Sequence, residues 1–436
     1  MSNYNIFDDI LKDKNFVVDD KKTIKDQIYI QAHLIPKSDE RCPSYDSDCI
    51  IKYGTTSRQI KDKDLVGFQT RIHLTIQKYK CKQCGTIFRE QTSLIAPKET
   101  IGFHAKFVML QLLREERTIT SIAKDYGVSK QFVYNLFLEH VNIERHIMPE
   151  VLCIDEFNFS KGDVHKYVVV LYDPVNTTII DIIESRKIKT LEDYFYKIDP
   201  IELKKVKYFV SDIYETYRTI KKKFFCGATH VIDAFHYSRY VTDALNTVRV
   251  KVQNTFDKGT KEYRLFKDNW KIFLKSLNKL KDANKYNCVK KQNTSVCDII
   301  NTAMSLSCEF DKAYHLKESF FTDYEGVKYE TSHEFIDFII SLYNNSELEP
   351  FKDIAKTFKN WYDEIINSFI RFGDRRLNNA YIEGMNNRIK ALKRVFYGSS
   401  NFYYFRNRLM FIINHNEPLS VVNKKMIPKN HRRKNK

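Results

Sequence analysis

The chain has 436 residues and a net charge of +17, from 72 lysines and arginines against 55 aspartates and glutamates. This length allows roughly two to four domains. The basic excess indicates an anionic polymer such as nucleic acid as partner, and a solvated lysine-rich surface is the alternative. No uninterrupted apolar stretch approaches about 18 residues, which argues against a membrane span. The acidic N-terminus lacks the apolar region of a signal peptide.

The first part of the chain divides into a polar leader and a cysteine-bearing β module. Residues 1–40 are polar and charged, and we expect a helical or partly mobile leader there. In the module that follows, Ile72, Leu74 and Ile76 alternate with polar residues, which predicts a half-buried strand. Four of the nine cysteines cluster in this module, and this pattern indicates a reducing cytosol rather than a disulfide framework.

The next segment has the pattern of a helix-turn-helix. The stretch TITSIAKDYGVSKQFVYNLF predicts two helices separated by a turn at Gly127, the second capped by Ser129. This arrangement is typical of a DNA-reading motif, and an ordinary helical hairpin is the alternative. The second helix is expected to expose side chains that reach base edges or phosphates: Lys130, Gln131, Tyr134 and Asn135.

Beyond residue 150 the pattern becomes rich in β-branched residues. Three short apolar runs predict an antiparallel meander of three strands. Two further strands alternate with helices, which indicates parallel pairing. The predicted strands are Val151–Phe157, Lys166–Asp173, Thr178–Ser185, Val206–Asp212 and Thr229–Phe235.

Acidic residues stand at the ends of these strands, where open α/β sheets place their sites. If the strands that end in Asp155 and Asp212 are adjacent, the two carboxylates need metal or protons to coexist. Two Mg²⁺ ions there could support an in-line phosphoryl displacement. The alternative for a single aspartate is a cap on the following helix or turn. For Asp233 and His236, after the next strand, a structural pair and a supplementary ligand or phosphate contact both remain open.

The stretch AYIEGMNNRIKALKR, residues 380–394, predicts a helix with two different faces. The first face is an apolar stripe that consists of Ile382, Met385, Ile389 and Leu392. The second face combines one carboxylate with amide and cationic side chains suited to phosphate: Glu383, Asn386, Asn387, Lys390 and Arg394. Glu383 is therefore the candidate third acid of the metal site.

Taken together, these motifs resemble the bacterial insertion-sequence transposases of the ISL-three group, which carry a DDE triad. The resemblance runs through KYKCKQCGTIFRE, the helix-turn-helix, VLCIDEF, VSDIYETY, VIDAFH and YIEGMNNRIKALKRVFYGSSNFYYFRNRLM. It implies that Asp155, Asp212 and Glu383 form the triad, and that Asp233 and His236 are an additional motif. It also implies two Mg²⁺ or Mn²⁺ ions as cofactors.

The resemblance implies a multidomain α+β/α/β fold, in which an all-α insertion interrupts a ribonuclease-H-like α/β core. The expected parts are a leader at 1–40, a zinc-ribbon-like module at 41–95, a helix-turn-helix domain at 100–142, the first part of the core at 150–240, the helical insertion at 241–372, the last core helices at 373–418, and a mobile basic tail at 419–436.

The zinc site is where this sequence departs from the family. Two CxxC knuckles are usual there, and Cys81 and Cys84 form an intact one. In the first knuckle Tyr45 stands at the second ligand position, so the next cysteine after Cys42 is Cys49. A zinc ion held by these four cysteines is the expectation, because a tetrahedral site requires four nitrogen or sulfur ligands.

The function that the resemblance implies is that of a DNA transposase. It would bind the terminal inverted repeats of an insertion sequence, cleave the DNA strand and transfer it to target DNA. Its partner would be double-stranded DNA, its assembly a homodimer or larger synaptic complex, and its location the cytoplasm in association with the nucleoid. The alternatives are a catalytically silent DNA-binding regulator and a metal-dependent nuclease without strand joining.

Overall fold

The computed structural model describes residues 16–25, 27–36, 39–65, 68–90, 92, 94–95, 99–159, 166–281, 283–373, 375–377, 380–396 and 401–414, without the side chains of 63–65, 68, 375 and 380–383. Contacts divide the chain into two compact units, one of residues 1–144 with 389–436 and the other of residues 145–388. No helix in the described part of the chain is long and apolar enough to cross a membrane.

A β-sheet forms the N-terminal part of the first unit. Its strands are β1 (Phe16–Ile24), β2 (Gln27–Leu34), β3 (Ile50–Leu65), β4 (Phe68–Cys81) and β5 (Ile87–Arg89). They lie in the order β1-β2-β4-β3, with β5 beside β4. The alternation predicted for β4 is confirmed, because Ile72, Leu74 and Ile76 are buried while His73 and Thr75 are exposed.

The expected helical leader is wrong for residues 16–34, which are the paired strands β1 and β2. Ile28, Ile30, Ala32 and Leu34 alternate into the core of the sheet, and β2 pairs in parallel with β4. The charged residues of β1 show no alternation, whereas the apolar residues of β2 alternate in the sequence itself, so β2 is a strand that the sequence analysis missed. Residues 1–15 and the expected tail at 419–436 lie outside the described part of the chain.

The first unit also contains the helix-turn-helix. Its helices are α1 (Phe103–Arg114), α2 (Ile119–Asp125) and α3 (Lys130–His140). The turn between α2 and α3 is confirmed, since Gly127 has a φ of 58° and the Ser129 hydroxyl accepts a hydrogen bond from the backbone N–H of Phe132. Ile122 and Ala123 of α2 pack in the small core with Val133 of α3.

The second unit is built on the predicted meander and parallel strands. The strands are β6 (Val151–Asn158), β7 (Tyr167–Asp173), β8 (Thr178–Ile183), β9 (Tyr208–Ser211) and β10 (Thr229–Ile232). They form one sheet in the order β10-β9-β6-β7-β8. The pairs β6–β7 and β7–β8 are antiparallel, whereas β6–β9 and β9–β10 are parallel. This mixed α/β arrangement places the ends of β6, β9 and β10 at one edge.

Helices surround this sheet and continue into the insertion. They are α4 (Ile188–Phe195), α5 (Pro200–Leu203), α6 (Glu215–Phe224), α7 (Ala234–Gln253), α8 (Lys261–Asp268), α9 (Trp270–Leu274), α10 (Val296–Leu306), α11 (Cys308–Tyr324), α12 (Ser332–Asn344), α13 (Glu349–Asn360) and α14 (Tyr362–Asn367). Buried aromatic and aliphatic side chains of the insertion form a core of their own, which includes Phe266, Phe310 and Tyr343.

The expected all-α insertion needs a correction, because it contains a β-hairpin. The strands β11 (Asn284–Asn287) and β12 (Gln292–Ser295) pair in antiparallel register. Their sequences, NKYN and QNTS, have almost no apolar residues, so no alternation of burial marks them in the sequence. Two further short strands, β13 (Arg371–Phe372) and β14 (Arg375–Arg376), precede the last helices.

The last helices are α15 (Ala380–Val395) and α16 (Phe402–Ile413). In α15 the predicted apolar stripe is confirmed for Met385, Ile389 and Leu392, which are buried. We expected residues 373–418 to belong with the α/β core, whereas α16 packs in the first unit, where the ring of Tyr404 contacts Phe137 of α3. The aromatic residues of α16 give no sequence signal for one partner over another.

Candidate functional site

Three aspartates lie side by side at one edge of the second sheet. Cys153 of β6 pairs with Val210 of β9, and Ser211 of β9 pairs with Ile232 of β10. Extending these parallel registers places Asp155, Asp212 and Asp233 at the same level of three adjacent strands. The strands that lead to Asp155 and Asp212 are therefore neighbours, which the sequence left as a condition, and Asp233 falls in the same row.

His236 connects two of these carboxylates. It lies in the first turn of α7, and its Nε2 is 2.8 Å from Oδ1 of Asp212 and 3.8 Å from Oδ2 of Asp233. Asp233 also caps α7 by accepting a hydrogen bond from the backbone N–H of Phe235. Asp233 therefore acts as a helix cap, in agreement with the structural interpretation of this pair. Because Asp233 also shares the imidazole of His236 with Asp212, the interpretation as a supplementary ligand stays open.

The charge balance of this row is unfavourable without a cation. Burial together with the negative charge of Asp212 raises the pKa of Asp155 to about 7, although Asn386 and the backbone N–H of Glu156 donate hydrogen bonds to it. Burial lowers the pKa of His236, but the hydrogen bond to Asp212 and the surrounding carboxylates outweigh it and raise that pKa. A cation among these oxygens would favour the ionised form of Asp155.

Asn386 of α15 contacts this row of aspartates. Its Nδ2 donates a hydrogen bond to Oδ2 of Asp155, whereas we expected Asn386 to face DNA. Its Oδ1 is buried and has no hydrogen-bond partner among the described residues. Asp212, Asp233 and His236 each bring a ligand atom within 4.8 Å of the other two, a group that could hold a metal ion and that does not include Asp155. The unpartnered amide oxygen of Asn386, next to Asp155, is a further donor of the kind that Mg²⁺ accepts in proteins.

Glu383 belongs to the same helix, three residues before Asn386. Its backbone is helical, and its side chain lies outside the described part of the structure. The predicted role of Glu383 as the third acid therefore stays a proposal. Met385, adjacent to Asn386, is buried on the apolar stripe of the helix.

Two further groups beside the aspartates were absent from the sequence prediction. Both Oε atoms of Glu156 lie 2.8 Å from Nη1 of Arg186, whose guanidinium stacks 4.2 Å from the ring centre of Tyr167. The hydroxyl of Tyr217 in α6 is buried without a hydrogen-bond partner among the described residues. Burial and the charges of Glu156, Asp155 and Asp212 raise the pKa of Tyr217 well above its usual range, so its proton stays available for donation.

The predicted DNA-contact residues differ in exposure. Lys130, Gln131 and Asn135 of α3 are exposed, and Gln131 donates a hydrogen bond of 2.7 Å to Asn135. Tyr134 is only half-buried because its ring packs 4.9 Å from that of Tyr404 in α16. Three of the four side chains on α3 are thus open to a partner, and Tyr134 contributes chiefly to packing.

The exposed face of α15 agrees with its predicted pattern. Asn387, Lys390 and Arg394 are exposed. These three amide or cationic groups on successive turns suit contacts with phosphates.

The structure brings three of the four predicted zinc ligands together. The sulfur atoms of Cys42, Cys81 and Cys84 lie within 4.8 Å of one another, and those of Cys42 and Cys84 are 3.5 Å apart. Cys49 is exposed and does not belong to this group. Hydrogen bonds with Thr86 lower the pKa of Cys84 to about 7. Three thiols at this separation fit the spacing of tetrahedral thiolate ligands around zinc, with a fourth position to be filled.

Comparisons with known proteins agree with this geometry. Residues 152–409 match the model of a transposase family, the DDE transposases of the ISL3 group. The chain is also 20% identical over 371 residues to the transposase for insertion sequence element IS1001 of Bordetella parapertussis, a match that covers 84% of this chain and 86% of that relative. The matched family segment contains all of the aspartates described above and α15. The chain belongs to the DDE transposase family of the ISL3 group.

Proposed function

We propose that this transposase binds the terminal inverted repeats of an insertion sequence and catalyses both cleavage of the DNA strand and its transfer to target DNA. The observation that carries the proposal is the row of Asp155, Asp212 and Asp233 with Asn386 of α15 hydrogen-bonded to Asp155. Through this hydrogen bond, the helix that contains Glu383 is attached to the first acid of the row.

The sheet supports a ribonuclease-H-like core. Three antiparallel strands are followed by two parallel strands on the other side of β6, in the order β10-β9-β6-β7-β8. The first proposed acid lies on the central strand and the second directly after its parallel neighbour. The third acid, Glu383, would come from α15, the helix that follows the insertion. The insertion accounts for the long stretch of chain between Asp212 and Glu383.

Asp155, Asp212 and Glu383 would hold two Mg²⁺ or Mn²⁺ ions. When bound, such ions activate a water or a 3′-hydroxyl and stabilise the leaving oxygen of a phosphoryl displacement. Residues three apart in an α-helix lie on one face, so Glu383 is expected on the side of α15 from which Asn386 reaches Asp155. Asn386 would hold Asp155 in place, and His236 would hold Asp212.

The remaining predicted residues would bind DNA without entering the chemistry. Lys130, Gln131 and Asn135 would contact bases or phosphates from α3. Lys390 and Arg394 would neutralise phosphates of the DNA backbone, and the amide of Asn387 would donate a hydrogen bond to them. These contacts position the substrate, while the acids act on it.

Zinc would stabilise the cysteine-bearing end of the first sheet. Cys42, Cys81 and Cys84 would be the protein ligands, and the fourth position would take Cys49 after a movement of its loop or a ligand from solution. Because transposition joins two ends of one element, we also propose a homodimer or larger synaptic assembly, acting in the cytoplasm with the nucleoid.

The test uses a duplex taken from the DNA that flanks the gene, where the inverted repeats are expected. Incubated with Mg²⁺, the wild-type protein should cut one strand at the element end and join it to a second duplex. Asp212→Ala should abolish both products while the protein still binds the duplex. The matched control is Asp243→Ala, because Asp243 is exposed on α7 and pairs with Arg239, four residues earlier.

The possible results separate the candidate functions. Cleavage that does not depend on the repeats would indicate a nuclease, and binding without cleavage by the wild type would indicate a regulator. Unchanged products with Asp212→Ala would contradict the assignment of the site.

A further inference from the structure

The insertion has a strong separation of charge along its sequence. Residues 249–291 contain thirteen lysines and arginines against four aspartates and glutamates, a net charge of +9. Residues 298–349 contain three against eleven, a net charge of −8. A uniformly lysine-rich composition would not produce this separation, so it requires an explanation specific to the insertion.

Four of these cations lie along the two consecutive helices α8 and α9, and a fifth follows α9 directly. The cations recur every three or four residues and are all exposed: Lys261, Arg264, Lys267, Lys271 and Lys275. Leu265, Phe266 and Phe273 are fully buried on the other side of these helices. We call these five cations the basic stripe.

The β-hairpin of β11 and β12 lies beside the basic stripe. The thiol of Cys288 is 3.2 Å from the carbonyl oxygen of Lys261, and Nζ of Lys285 is 3.4 Å from that of Asp268. The hairpin thus contacts both ends of α8 and adds the exposed side chains of Lys285 and Lys291 to the same region. Lys291 lies in the turn at the tip of the hairpin, where its backbone has a φ of 56°.

These cations differ from other lysines of the insertion in having no carboxylate partner. Lys251 pairs with Glu309 at 2.7 Å, and Lys279 pairs with Glu325 at 2.8 Å. In the part of the chain that the structure describes, no ion pair involves the basic stripe, Lys285 or Lys291. Mutual repulsion within such a group is unfavourable, and a polyanion would relieve it.

Exposed aromatic side chains accompany the cations. Trp270 at the start of α9 is 42% exposed, and Tyr286 on the hairpin is 57% exposed. The ammonium groups of Lys271 and Lys267 lie over the rings of Trp270 and Tyr263, at 5.5 and 5.8 Å. Aromatic groups between cations are suited to contacts with sugars and bases next to the phosphates.

We propose that the basic stripe and the hairpin form a second surface for duplex DNA, which binds the phosphate backbone and reads no base sequence. The inference rests on the proposed function, because DNA is its ligand. Carboxylates of the acidic residues 298–349 pair with Lys251, Lys279 and Lys290, and none of the described ion pairs extends to the basic stripe, so a duplex would be its counter-charge. Counterion release from the duplex would supply the binding free energy.

The test measures affinity for a 40-bp duplex of random sequence as a function of salt, in EDTA so that no cleavage occurs. The variant replaces Lys267, Lys271 and Lys285 with Gln in the full chain. Since each lost phosphate contact reduces the slope of log K against log salt by about 0.9, the slope should fall by about 2 to 3. Affinity at low salt should fall at least about tenfold for random and terminal-repeat duplexes alike.

The matched control carries the same change in charge at Lys312, Lys352 and Lys356, each of which forms an ion pair within the insertion. Its slope and affinity should equal those of the wild type. Equal slopes in the two triple variants would overturn the proposal and leave the catalytic site untouched. A wild type that binds neither duplex at low salt would instead contradict the proposed function itself.

Tryptophan fluorescence provides a readout that a change in folding would not mimic. The chain has two tryptophans, and Trp361 is buried with only 5% exposure, so acrylamide quenching reports on Trp270. The random duplex should protect Trp270 from acrylamide in the wild type. Quenching that stays the same when saturating DNA is added would contradict the placement of DNA on this surface.

Discussion

His230 gives the sharpest prediction about stability, because it is buried on β10, the strand that precedes Asp233. Its Nε2 is 2.9 Å from the hydroxyl of Ser211 on β9, and its ring packs against Phe209 and Trp361. Burial, together with the positive charges of Lys221, Arg218 and Lys222, lowers the pKa of His230 to about 3. Oε1 of Glu364 lies 3.7 Å from Nδ1 of His230, but the same oxygen is bonded to Arg218 at 2.9 Å, and the pKa of His230 stays lowered.

The sign and size of the effect follow from linkage. The unfolded chain takes up a proton on His230 near pH 6.5, whereas the folded chain stays neutral down to about pH 3. Stability is therefore fully present above pH 6.5 and is lost as the pH falls through this window. Between pH 7 and pH 5 the loss amounts to about 2 kcal/mol for this residue.

The assay is guanidinium unfolding at pH 7 and pH 5, followed by the fluorescence of Trp361, which packs on His230 itself. The comparison variant is His230→Gln, because a glutamine amide can still bond Ser211 and does not titrate. The drop in unfolding free energy between the two pH values should be about 2 kcal/mol smaller in the variant. An equal drop in both proteins would refute the reasoning.

The remaining predictions concern the metal sites and the terminal helix. Asn386→Ala should slow Mg²⁺-dependent DNA cleavage by about 10- to 100-fold without weakening duplex binding, because the hydrogen bond to Asp155 and a neighbouring oxygen donor for Mg²⁺ are both lost; an unchanged rate would argue against both roles. Cys84→Ser should reduce bound zinc, measured by elemental analysis, from about one ion per chain; equal content in both proteins would exclude Cys84 as a ligand. Ile389→Asp should unfold the protein in thermal melts, since it buries an unpaired charge, whereas Lys390→Asp on the exposed face should not.

Strong periodic signals in the sequence predicted much of the fold. The five core strands and the turn at Gly127 follow from β-branched runs and turn residues, and the structure has them. The placement of Asp155 and Asp212 at one edge of the sheet also follows, because a strand–helix–strand order places strand ends at one edge, whereas the direct pairing of β6 with β9 is known from the structure. These features are local or depend on general topology rules.

The features that the sequence did not predict depend on contacts between distant segments. Nothing in the sequence distinguishes Asn386, which bonds Asp155, from Asn387, which is exposed one residue later. The hairpin of β11 and β12 has too few apolar residues to show a period, and its position is set by α8. The separation of Cys49 from the other cysteines likewise depends on loop conformation rather than on spacing.

The central claim is that three acids from separate elements form one catalytic metal site, and Glu383→Gln tests it most directly. The measurement is the rate of Mg²⁺-dependent cleavage of the element-end duplex, together with the affinity of the same protein for that duplex. The account predicts a loss of about a thousandfold in rate, equivalent to about 4 kcal/mol of transition-state stabilisation, with affinity unchanged. Cleavage at the wild-type rate by Glu383→Gln would contradict it.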